Sequence, residues 1–454
     1  MLPERFTERM KLLLGDEMKD FLSALAMPAV KALRLNPNKC EKDEDLSYLG
    51  LSLRPIPYVE GGYIIEGDTN GLGNTPAHLS GKFYIQDPGA MATAASVEVS
   101  PDAWICDLCA APGGKTTQLA AKLGEGGFIL SNEFVPKRAK ILVGNVERMG
   151  IRQAAVTSMD TGELARLYPS TFDLVVADAP CSGEGMFRKD VPAIEEWSEE
   201  NVKLCAERQA MILDNAARLV RSGGSLLYST CTYSLEENEM AIDAFLLRHP
   251  EFSIIPVKDE VAAITADGIR FDGCSAAGIE LCRRFYPHKA LGEGQFIALM
   301  KKESGDEGSS AFKEKLTPPG KDEIYAVKKF FSENLIKEPD ARLAKYGENL
   351  VLISHGCPLP PHSVFSAGVL VGEVRGKLLF PSHQLLTAYG DLFIRREELI
   401  DEDAARLYVS GEEIDSHLTS SGFAAVLYRG APIGGGKASG GKIKNHFPKG
   451  LRVR

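Results

Sequence analysis

The sequence lacks any apolar stretch of the roughly 20 residues that a membrane-spanning helix requires. Its first residues, MLPERFTERMKLLLGDEMKDFL, contain too many charges for a signal peptide. The nine cysteines are spread along the chain without the regular spacing of a disulfide framework. We therefore expect reduced thiols in a cytoplasmic protein.

Acidic residues outnumber basic ones, 62 to 52, and the formal net charge is −10. This balance argues against a protein that is coated with nucleic acid over its whole surface, although it permits a local basic surface. The chain has 454 residues, of which 44% are hydrophobic and 25% charged, enough for two to four domains with hydrophobic cores. No internal repeat is evident.

Metal-binding patterns are incomplete. Cys106 and Cys109 form a single CxxC pair, and no second pair follows to complete a zinc site. His355, Cys357 and His362 lie close in sequence, but they stand among prolines in a predicted loop. We expect no metal site in either place.

The segment 105–119, ICDLCAAPGGKTTQL, predicts a cofactor loop between a strand and a helix. A strand that ends in Asp107, followed by small residues and two glycines, lets the backbone approach a ligand at the N-terminus of the next helix. A P-loop would need glycine at position 109, which is Cys109, and no Gly-x-Gly-x-x-Gly is present. The pattern instead fits a loop that binds S-adenosylmethionine.

An acid follows about 20 residues after these glycines, at the spacing expected for a ribose-binding carboxylate. Residues 128–131 predict a second strand, and Glu133 comes just past its end. The alternative for Glu133 is a helix-capping or solvated acid. After the preceding loop, the ribose role is favoured.

Strands and helices alternate from residue 101 to about residue 302, which predicts an α/β domain with a doubly wound, mostly parallel sheet. The predicted strands are 103–107, 127–131, 153–157, 172–178, 224–230 and 294–301. The predicted helices are 115–123, 136–149, 162–167, 193–221 and 236–248. We assign residues 86–302 to this domain, after a small α+β lobe in residues 1–85. A polar linker at 303–323, a small α/β domain at 324–398 and a β domain at 399–454 complete the predicted chain.

Two cysteines follow predicted buried strands of this sheet. Cys181 comes after the strand that ends at Asp178, and Cys231 ends the strand that begins at residue 224. Both should therefore lie at the sheet edge where the cofactor binds. Either cysteine alone could be an inert core residue, but this is a poor explanation for both together.

Two thiols, a carboxyl group and a methyl donor suggest methylation of cytosine at C5. C5 is a weak nucleophile, and addition of a thiolate at C6 converts the ring into an enamine whose C5 can attack a methyl group. Asp178 is placed to stabilise the adduct through ring N3. A base then removes the C5 proton and the thiol leaves.

Five segments resemble the Nol1/Nop2/Sun family of RNA cytosine-5 methyltransferases, and they occur in the family's order. They are DLCAAPGGKTTQ, NEFVPKRAKIL, VTSMD, DAPCSGEGMFRK and YSTCTYSLEENE. The resemblance implies a Rossmann-like class I fold, with Cys231 as nucleophile and Cys181 assisting product release. It implies S-adenosylmethionine contacts from Cys109, Ala110, Ala111, Pro112, Gly113, Gly114, Lys115, Glu133, Arg138, Asp160 and Asp178. Lys115 is also implied to face the substrate pocket.

The C-terminal residues extend the resemblance to the family's bacterial ribosomal-RNA subgroup. The segment YRGAPIGGGKASGGKIKNHFPKGLRVR resembles a PUA-like RNA-binding module and contains no acid. Its candidate RNA contacts are Arg429, Lys437, Lys442, Lys444, Lys449 and Arg452. We expect a monomer that acts on 16S ribosomal RNA or the 30S subunit. A transfer-RNA substrate, or an assembly factor in which methylation is secondary, are the alternatives.

Overall fold

The structure is a computed structural model that describes residues 2–41, 44–303, 315–354, 356 and 358–453. Strands in these residues form sheets of four, ten, four and five strands. No helix in this part of the chain has the length and apolar character needed to cross a membrane.

The N-terminal lobe combines three helices of the described residues with an antiparallel sheet of order β2-β3-β1-β4. Its elements are α1 (Glu4–Leu14), α2 (Met18–Leu25), β1 (Ala32–Leu35), β2 (Ser52–Pro55), β3 (Gly62–Glu66), α3 (Pro76–Leu79) and β4 (Phe83–Ile85). Phe6 of α1 packs edge-on against the rings of Phe187 and Trp197, which belong to the central domain. The lobe is therefore joined to the segment that follows Cys181.

The central domain contributes nine strands to the ten-stranded sheet, with helices between them. Its strands are β5 (Trp104–Asp107), β6 (Phe128–Asn132), β7 (Ala154–Thr157), β8 (Phe172–Asp178), β9 (Val220–Thr230), β10 (Phe252–Ile254), β11 (Ala266–Asp267), β12 (Arg283–Phe285) and β13 (Gln295–Lys302). Its helices are α4 (Pro88–Ala95), α5 (Gly114–Ala120), α6 (Pro136–Arg148), α7 (Thr161–Leu167), α8 (Val191–Glu196), α9 (Glu199–Leu219), α10 (Glu239–Arg248) and α11 (Asp259–Ala262).

The order β9-β8-β5-β6-β7 is parallel throughout, and β13 adds to β9 in the antiparallel direction. These strands are mostly buried, as their near-continuous apolar runs require when helices cover both faces of a sheet. The predicted doubly wound α/β fold is confirmed. The carboxyl ends of β5, β6, β8 and β9 consequently lie along one edge of the sheet.

The C-terminal part begins with a small α/β region whose sheet has the order β14-β15-β17-β18. Its elements are α12 (Lys321–Asn334), β14 (Arg342–Tyr346), β15 (Asn349–Ile353), β16 (Val364–Ala367), β17 (Val369–Arg375), β18 (Leu378–Pro381) and α13 (His383–Tyr389). A five-stranded sheet of order β19-β21-β22-β23-β20 follows. Its elements are β19 (Arg396–Leu399), α14 (Glu402–Ser410), β20 (Ile414–Asp415), β21 (Gly422–Tyr428), β22 (Ala431–Ser439) and β23 (Lys442–Asn445).

The two ends of the chain share one hydrophobic core, in which Leu33 and Phe83 of the lobe pack with Tyr408 and Val426 of the last domain. Strand β16 leaves its own region and pairs antiparallel with β7, so it extends the central sheet. Of the predicted linker, residues 304–314 lie outside the described residues, and residues 321–323 begin α12.

The predicted single helix at 193–221 is wrong. The structure has α8 and α9 there, separated at Trp197 and Ser198, and residues 220 and 221 already belong to β9. Ser198 is in an extended conformation, and its side chain accepts a hydrogen bond from the Asn201 N–H. This N-cap satisfies a backbone donor at the start of α9 and explains why a new helix begins there.

Candidate active site

Cys181 and Cys231 lie side by side at the edge of the central sheet. They follow β8 and β9, which are parallel neighbours, so the two strand ends meet. The two Sγ atoms are 3.2 Å apart, and the Cys231 N–H lies 3.3 Å from the Cys181 Sγ and donates to it. Contact with the Cys231 side chain, together with burial, raises the pKa of the Cys181 thiol well above its usual range. Either sulfur can be the donor in the contact between the two thiols.

Asp178 lies between these thiols and the helix that follows the cofactor loop. Its Oδ2 forms an ion pair of 2.7 Å with Lys115 Nζ, and its Oδ1 accepts a 2.6 Å hydrogen bond from Ser229 Oγ. Gln295 Nε2 is 3.5 Å from the same Oδ1. The carboxylate is thus held from three directions by residues of α5, β9 and β13.

Two buried glutamates join the segments that contain the cysteines, and sequence reasoning assigned neither of them a role. Glu184, in the segment after Cys181, is 1% exposed and accepts hydrogen bonds from the segment after Cys231. Its Oε2 accepts hydrogen bonds from Thr232 Oγ1 at 2.8 Å and from the Tyr233 N–H at 2.9 Å, and its Oε1 accepts one from Ser234 Oγ at 2.6 Å.

Glu237 makes the reciprocal connection, from the segment after Cys231 back to the residue after Cys181. Its Oε2 accepts hydrogen bonds of 2.9 Å from the Ser182 N–H and from Gln209 Nε2, and its Oε1 accepts one from Ser182 Oγ. Burial raises the pKa of Glu237 to about 7. We call Glu184 and Glu237 the carboxylate clamp, because together they fix the relative position of the two thiol-bearing segments.

The predicted cofactor loop runs from the end of β5 to the start of α5. Gly113 has a φ of 114°, and a Cβ on it would come within 3.0 Å of a Leu142 methyl carbon. The loop backbone is held from α6, because Arg138 donates to the Ala111 carbonyl at 2.9 Å and Asn145 donates to the Pro112 carbonyl at 2.8 Å. The loop is therefore preformed.

Two carboxyl groups beside this loop have a buried oxygen that accepts no hydrogen bond from the described residues. Asp107 accepts a bond from Thr116 through Oδ2, while its Oδ1 has no such partner and burial raises its pKa to about 7. Glu133 is 4% exposed and accepts a bond from the Val135 N–H through Oε1. Its Oε2 accepts none, although it lies 3.4 Å from Arg138 Nη1. The solvated alternative for Glu133 is therefore wrong.

Asp160 is exposed and caps α7, since its Oδ1 accepts hydrogen bonds from the N–H groups of Gly162 and Glu163. Cys109 stands at the start of the loop, and burial raises the pKa of its thiol. His355 and Cys357 lie outside the described residues. His362 pairs with Glu163 at 3.2 Å.

The C-terminal basic residues project from the last sheet. Lys437 and Lys444 are exposed and stand opposite each other on β22 and β23. Like charges in that position repel each other, and a bound anion would relieve the repulsion. Lys442 pairs with Glu413 at 3.2 Å, and Arg452 donates to the Phe447 carbonyl at 3.3 Å. Lys449 is exposed, whereas the Arg429 guanidinium stacks over the ring of Tyr48, 4.5 Å from its centre.

Comparison with protein families matches three parts of this chain. Residues 94–301 match the 16S rRNA methyltransferase RsmB/F family. Residues 2–88 match the N-terminal domain of 16S rRNA methyltransferase RsmF, and residues 399–453 match the methyltransferase RsmF PUA domain.

Curated relatives match over nearly the full length. The ribosomal RNA small subunit methyltransferase F of Vibrio vulnificus is 33% identical, with 99% of this chain and 97% of the relative covered. The protein of the same name from Klebsiella pneumoniae is 32% identical, with 99% and 96% covered.

Solved structures share the fold over about two thirds of the chain. A methyltransferase homolog protein from Pyrococcus horikoshii aligns with a TM-score of 0.58 and 25% identity, covering 66% of this chain and 95% of its own. NSun6 from Pyrococcus horikoshii, solved with SFG, aligns with a TM-score of 0.55 and 24% identity, covering 67% and 99%.

Proposed function

This chain belongs to the RsmB/F family of 16S rRNA methyltransferases, and from that premise we propose that it methylates C5 of a cytidine in 16S ribosomal RNA. The family's methyl donor is S-adenosylmethionine. Acting on the RNA requires that the target base leave its stack, because C6 of a stacked base is not open to attack. The observation that supports this reaction best is the 3.2 Å contact between the Cys181 and Cys231 sulfurs beside Asp178.

The residues around the loop fit the methyl donor. We assign the binding of the ribose hydroxyls to Glu133, whose buried Oε2 accepts no hydrogen bond from the described residues. We assign to Gly113 and Gly114 the close approach of the loop backbone to the donor. The other proposed donor contacts are Cys109, Ala110, Ala111, Pro112, Lys115, Arg138, Asp160 and Asp178. When bound, the donor supplies an electrophilic methyl group.

Cys231 is the proposed nucleophile, and its thiolate adds to C6 of the base. The Cys181 thiol, which keeps its proton, can donate a hydrogen bond to that sulfur before the addition. Asp178 stabilises the adduct at ring N3, and Lys115 orients Asp178 through the 2.7 Å ion pair. The C4–C5 electron pair of the enamine adduct forms the bond from C5 to the methyl carbon, and the electron pair of the broken S–CH3 bond stays on the donor's sulfur.

Release requires loss of the C5 proton to a base, after which the C5–C6 double bond returns and the C6–S bond breaks, with its electron pair going to Cys231 Sγ. We assign to Cys181 the role of assisting this step, since its sulfur lies beside that bond. The carboxylate clamp holds the two thiols at the distance that this sequence of events needs.

RNA contact is assigned to the exposed residues of the last domain, with Lys437 and Lys444 as its centre. The monomeric state, the cytoplasmic location and the assembled 30S subunit as substrate stay predictions. The test is a methyl-transfer assay on separated 16S rRNA, 30S subunits and transfer RNA, followed by nucleoside analysis of each product. We expect 5-methylcytidine in 16S rRNA, either as free RNA or within 30S subunits. Methylation of transfer RNA alone, or of another atom, would contradict it.

A further inference from the structure

A cavity of about 670 Å³ lies between the N-terminal lobe and the helices of the central domain. The lobe contributes Arg34, Tyr58 and Tyr63 to its lining, and the central domain contributes Gln118, Lys122 and Lys258. None of these residues has a part in the reaction proposed above. The volume is in the range of pockets that bind small molecules of nucleotide size.

Arg34 places a positive charge in this cavity, and no carboxylate of the described residues pairs with it. Its side chain is almost wholly buried, at 3% exposure, and burial lowers its pKa to about 10. It donates from Nη2 to Thr117 Oγ1 at 2.9 Å and to the Gly114 carbonyl at 3.5 Å, and from Nε to Gln86 Oε1 at 3.4 Å, and all three acceptors are neutral. Within the described residues, Nη1 makes no hydrogen bond and no carboxylate pairs with the guanidinium. A buried cation without a partner anion is energetically unfavourable.

Lys122, which is partly buried, adds a second cation. Its Nζ donates to the carbonyl oxygens of Ala94 and Val97, at 3.0 and 3.4 Å, and no carboxylate of the described residues pairs with it. Burial, and then repulsion from Lys258 and Arg34, lowers its pKa to about 8.

Acidic groups lie near this cavity but leave the two cations unpaired. Glu98 is paired with Lys258, and its attraction for Lys122 is weaker than the repulsion from Lys258. Glu60 attracts Lys122 more weakly still. The side chains of Glu41, Glu60 and Glu260 line the cavity from exposed positions. The buried floor of the cavity is therefore positive, and its exposed rim is negative.

We propose that this cavity is a second binding site, which takes the phosphate group of a nucleotide on Arg34 and Lys122. A guanidinium fork and an ammonium group are the side chains best suited to phosphate oxygens. Two cations that pair with no described carboxylate also match the nearly two negative charges of a phosphate monoester better than the single charge of a carboxylate. The tyrosine rings of Tyr58 and Tyr63 provide aromatic surface for the nucleoside part.

The phosphate can come from a free mononucleotide or from the strand of an RNA. To distinguish the two, the full-length protein is first saturated with S-adenosylmethionine and then titrated calorimetrically with UMP. In parallel, affinity for a single-stranded RNA oligonucleotide is measured over a range of salt concentrations. The variants are Lys122→Gln, the charge-conserving Lys122→Arg, and Lys19→Gln as a control at an exposed lysine of α2.

If the site binds a free nucleotide, UMP binding should weaken at least about 10-fold in Lys122→Gln, persist in Lys122→Arg and be unchanged in Lys19→Gln. Affinity should also fall as the pH rises through about 8, because Lys122 loses its proton there while a phosphate monoester, with a second pKa of about 6, keeps its charge. If the site binds an RNA strand instead, UMP should not bind, and Lys122→Gln should lower the slope of log RNA affinity against log salt by about 0.7.

The proposal is overturned if Lys122→Gln matches Lys19→Gln in both UMP binding and salt slope while its thermal unfolding equals that of the wild type. These measurements follow binding and not methyl transfer. A protein that binds UMP through Lys122 but leaves every RNA unmethylated would refute the proposed function alone, and active Lys122→Gln protein with unaltered binding would refute this site alone.

Discussion

Lys115 Nζ lies 2.7 Å from Asp178 Oδ2, at the point where the helix after the cofactor loop meets the strand that leads to Cys181. The Lys115 side chain is 10% exposed and the Asp178 side chain 32% exposed, so the pair is partly shielded from solvent. An ion pair in such a place orients its carboxylate more firmly than a solvated pair would. Lys115 thus connects the loop assigned to the methyl donor with Asp178, the acid assigned to ring N3 of the target cytosine.

Replacing Lys115 with methionine should impair catalysis more than binding. Lys115→Met keeps much of the side-chain volume and removes the cation that holds Asp178 Oδ2, so we expect turnover to fall by about 100-fold. Steady-state kinetics and calorimetric titration with S-adenosylmethionine measure the two effects separately. Lys140→Met, at an exposed position of α6, is the control. Turnover equal to that of the control would remove Lys115 from the proposed mechanism.

Loss of the Glu133 charge should weaken binding of the methyl donor. Glu133→Gln preserves shape but replaces a buried carboxylate by an amide, and we expect a loss of about 1.5–3 kcal/mol, the usual range for hydrogen bonds to a charged group. Calorimetric titration with S-adenosylmethionine measures it, with Glu125→Gln at an exposed site for comparison. If both variants bind equally well, Glu133 does not contact the donor.

The clamp residue Glu237 should make stability depend on pH in a defined direction. Burial raises its pKa to about 7 in the folded protein, against about 4.3 in an unfolded chain. The folded state therefore binds the proton more tightly. Its contribution to stability is complete below about pH 4 and is lost as the pH rises through about 7.

Urea unfolding of the wild type and of Glu237→Gln at about pH 5.5 and pH 8.5 measures this dependence. We expect the difference in the free energy of unfolding, wild type minus Glu237→Gln, to be smaller at about pH 8.5 than at about pH 5.5. Asp107, whose pKa is also raised to about 7, is present in both proteins and cancels in the difference. Parallel pH profiles would show that Glu237 does not titrate in this range.

The facing lysines of the last sheet should contribute to RNA affinity through phosphate contacts. Changing both Lys437 and Lys444 to glutamine should reduce the slope of log affinity against log salt by about 1–2, since each phosphate contact adds about 0.7–0.9. Filter binding of 16S rRNA fragments over a salt series measures the slope. The control is the pair of changes Lys328→Gln and Lys337→Gln, at exposed positions in and after α12. A slope equal to that of the control would exclude these two lysines from the RNA interface.

Local pattern was enough to predict the parts of the site that lie on regular elements. The apolar run 172–178 predicts β8 with the bounds that the structure has, and Asp178 ends it as expected. The two cysteines could be placed together because the carboxyl ends of neighbouring parallel strands share one edge. The roles of these residues in catalysis stay predictions.

Features that depend on long-range contact could not be predicted. Glu184 and Glu237 stand in polar segments where acids are normally solvated, and only the folded arrangement buries them against each other's segments. The pairing of β16 with β7 joins residues more than 200 positions apart, and no local pattern encodes it. Arg34 has the sequence context of an ordinary strand residue, and only the packing of lobe against domain shows that no described carboxylate pairs with it.

The most direct test of the central claim is a covalent trap. Cys181→Ala protein is mixed with S-adenosylmethionine and unmodified 16S rRNA and analysed on a denaturing gel. If Cys231 is the nucleophile and Cys181 assists release, a protein–RNA band should accumulate and should vanish in the Cys181→Ala, Cys231→Ala double variant. A band formed by Cys231→Ala but not by Cys181→Ala would reverse the two roles. No band from any variant with 16S rRNA, 30S subunits or transfer RNA would contradict the proposed covalent reaction.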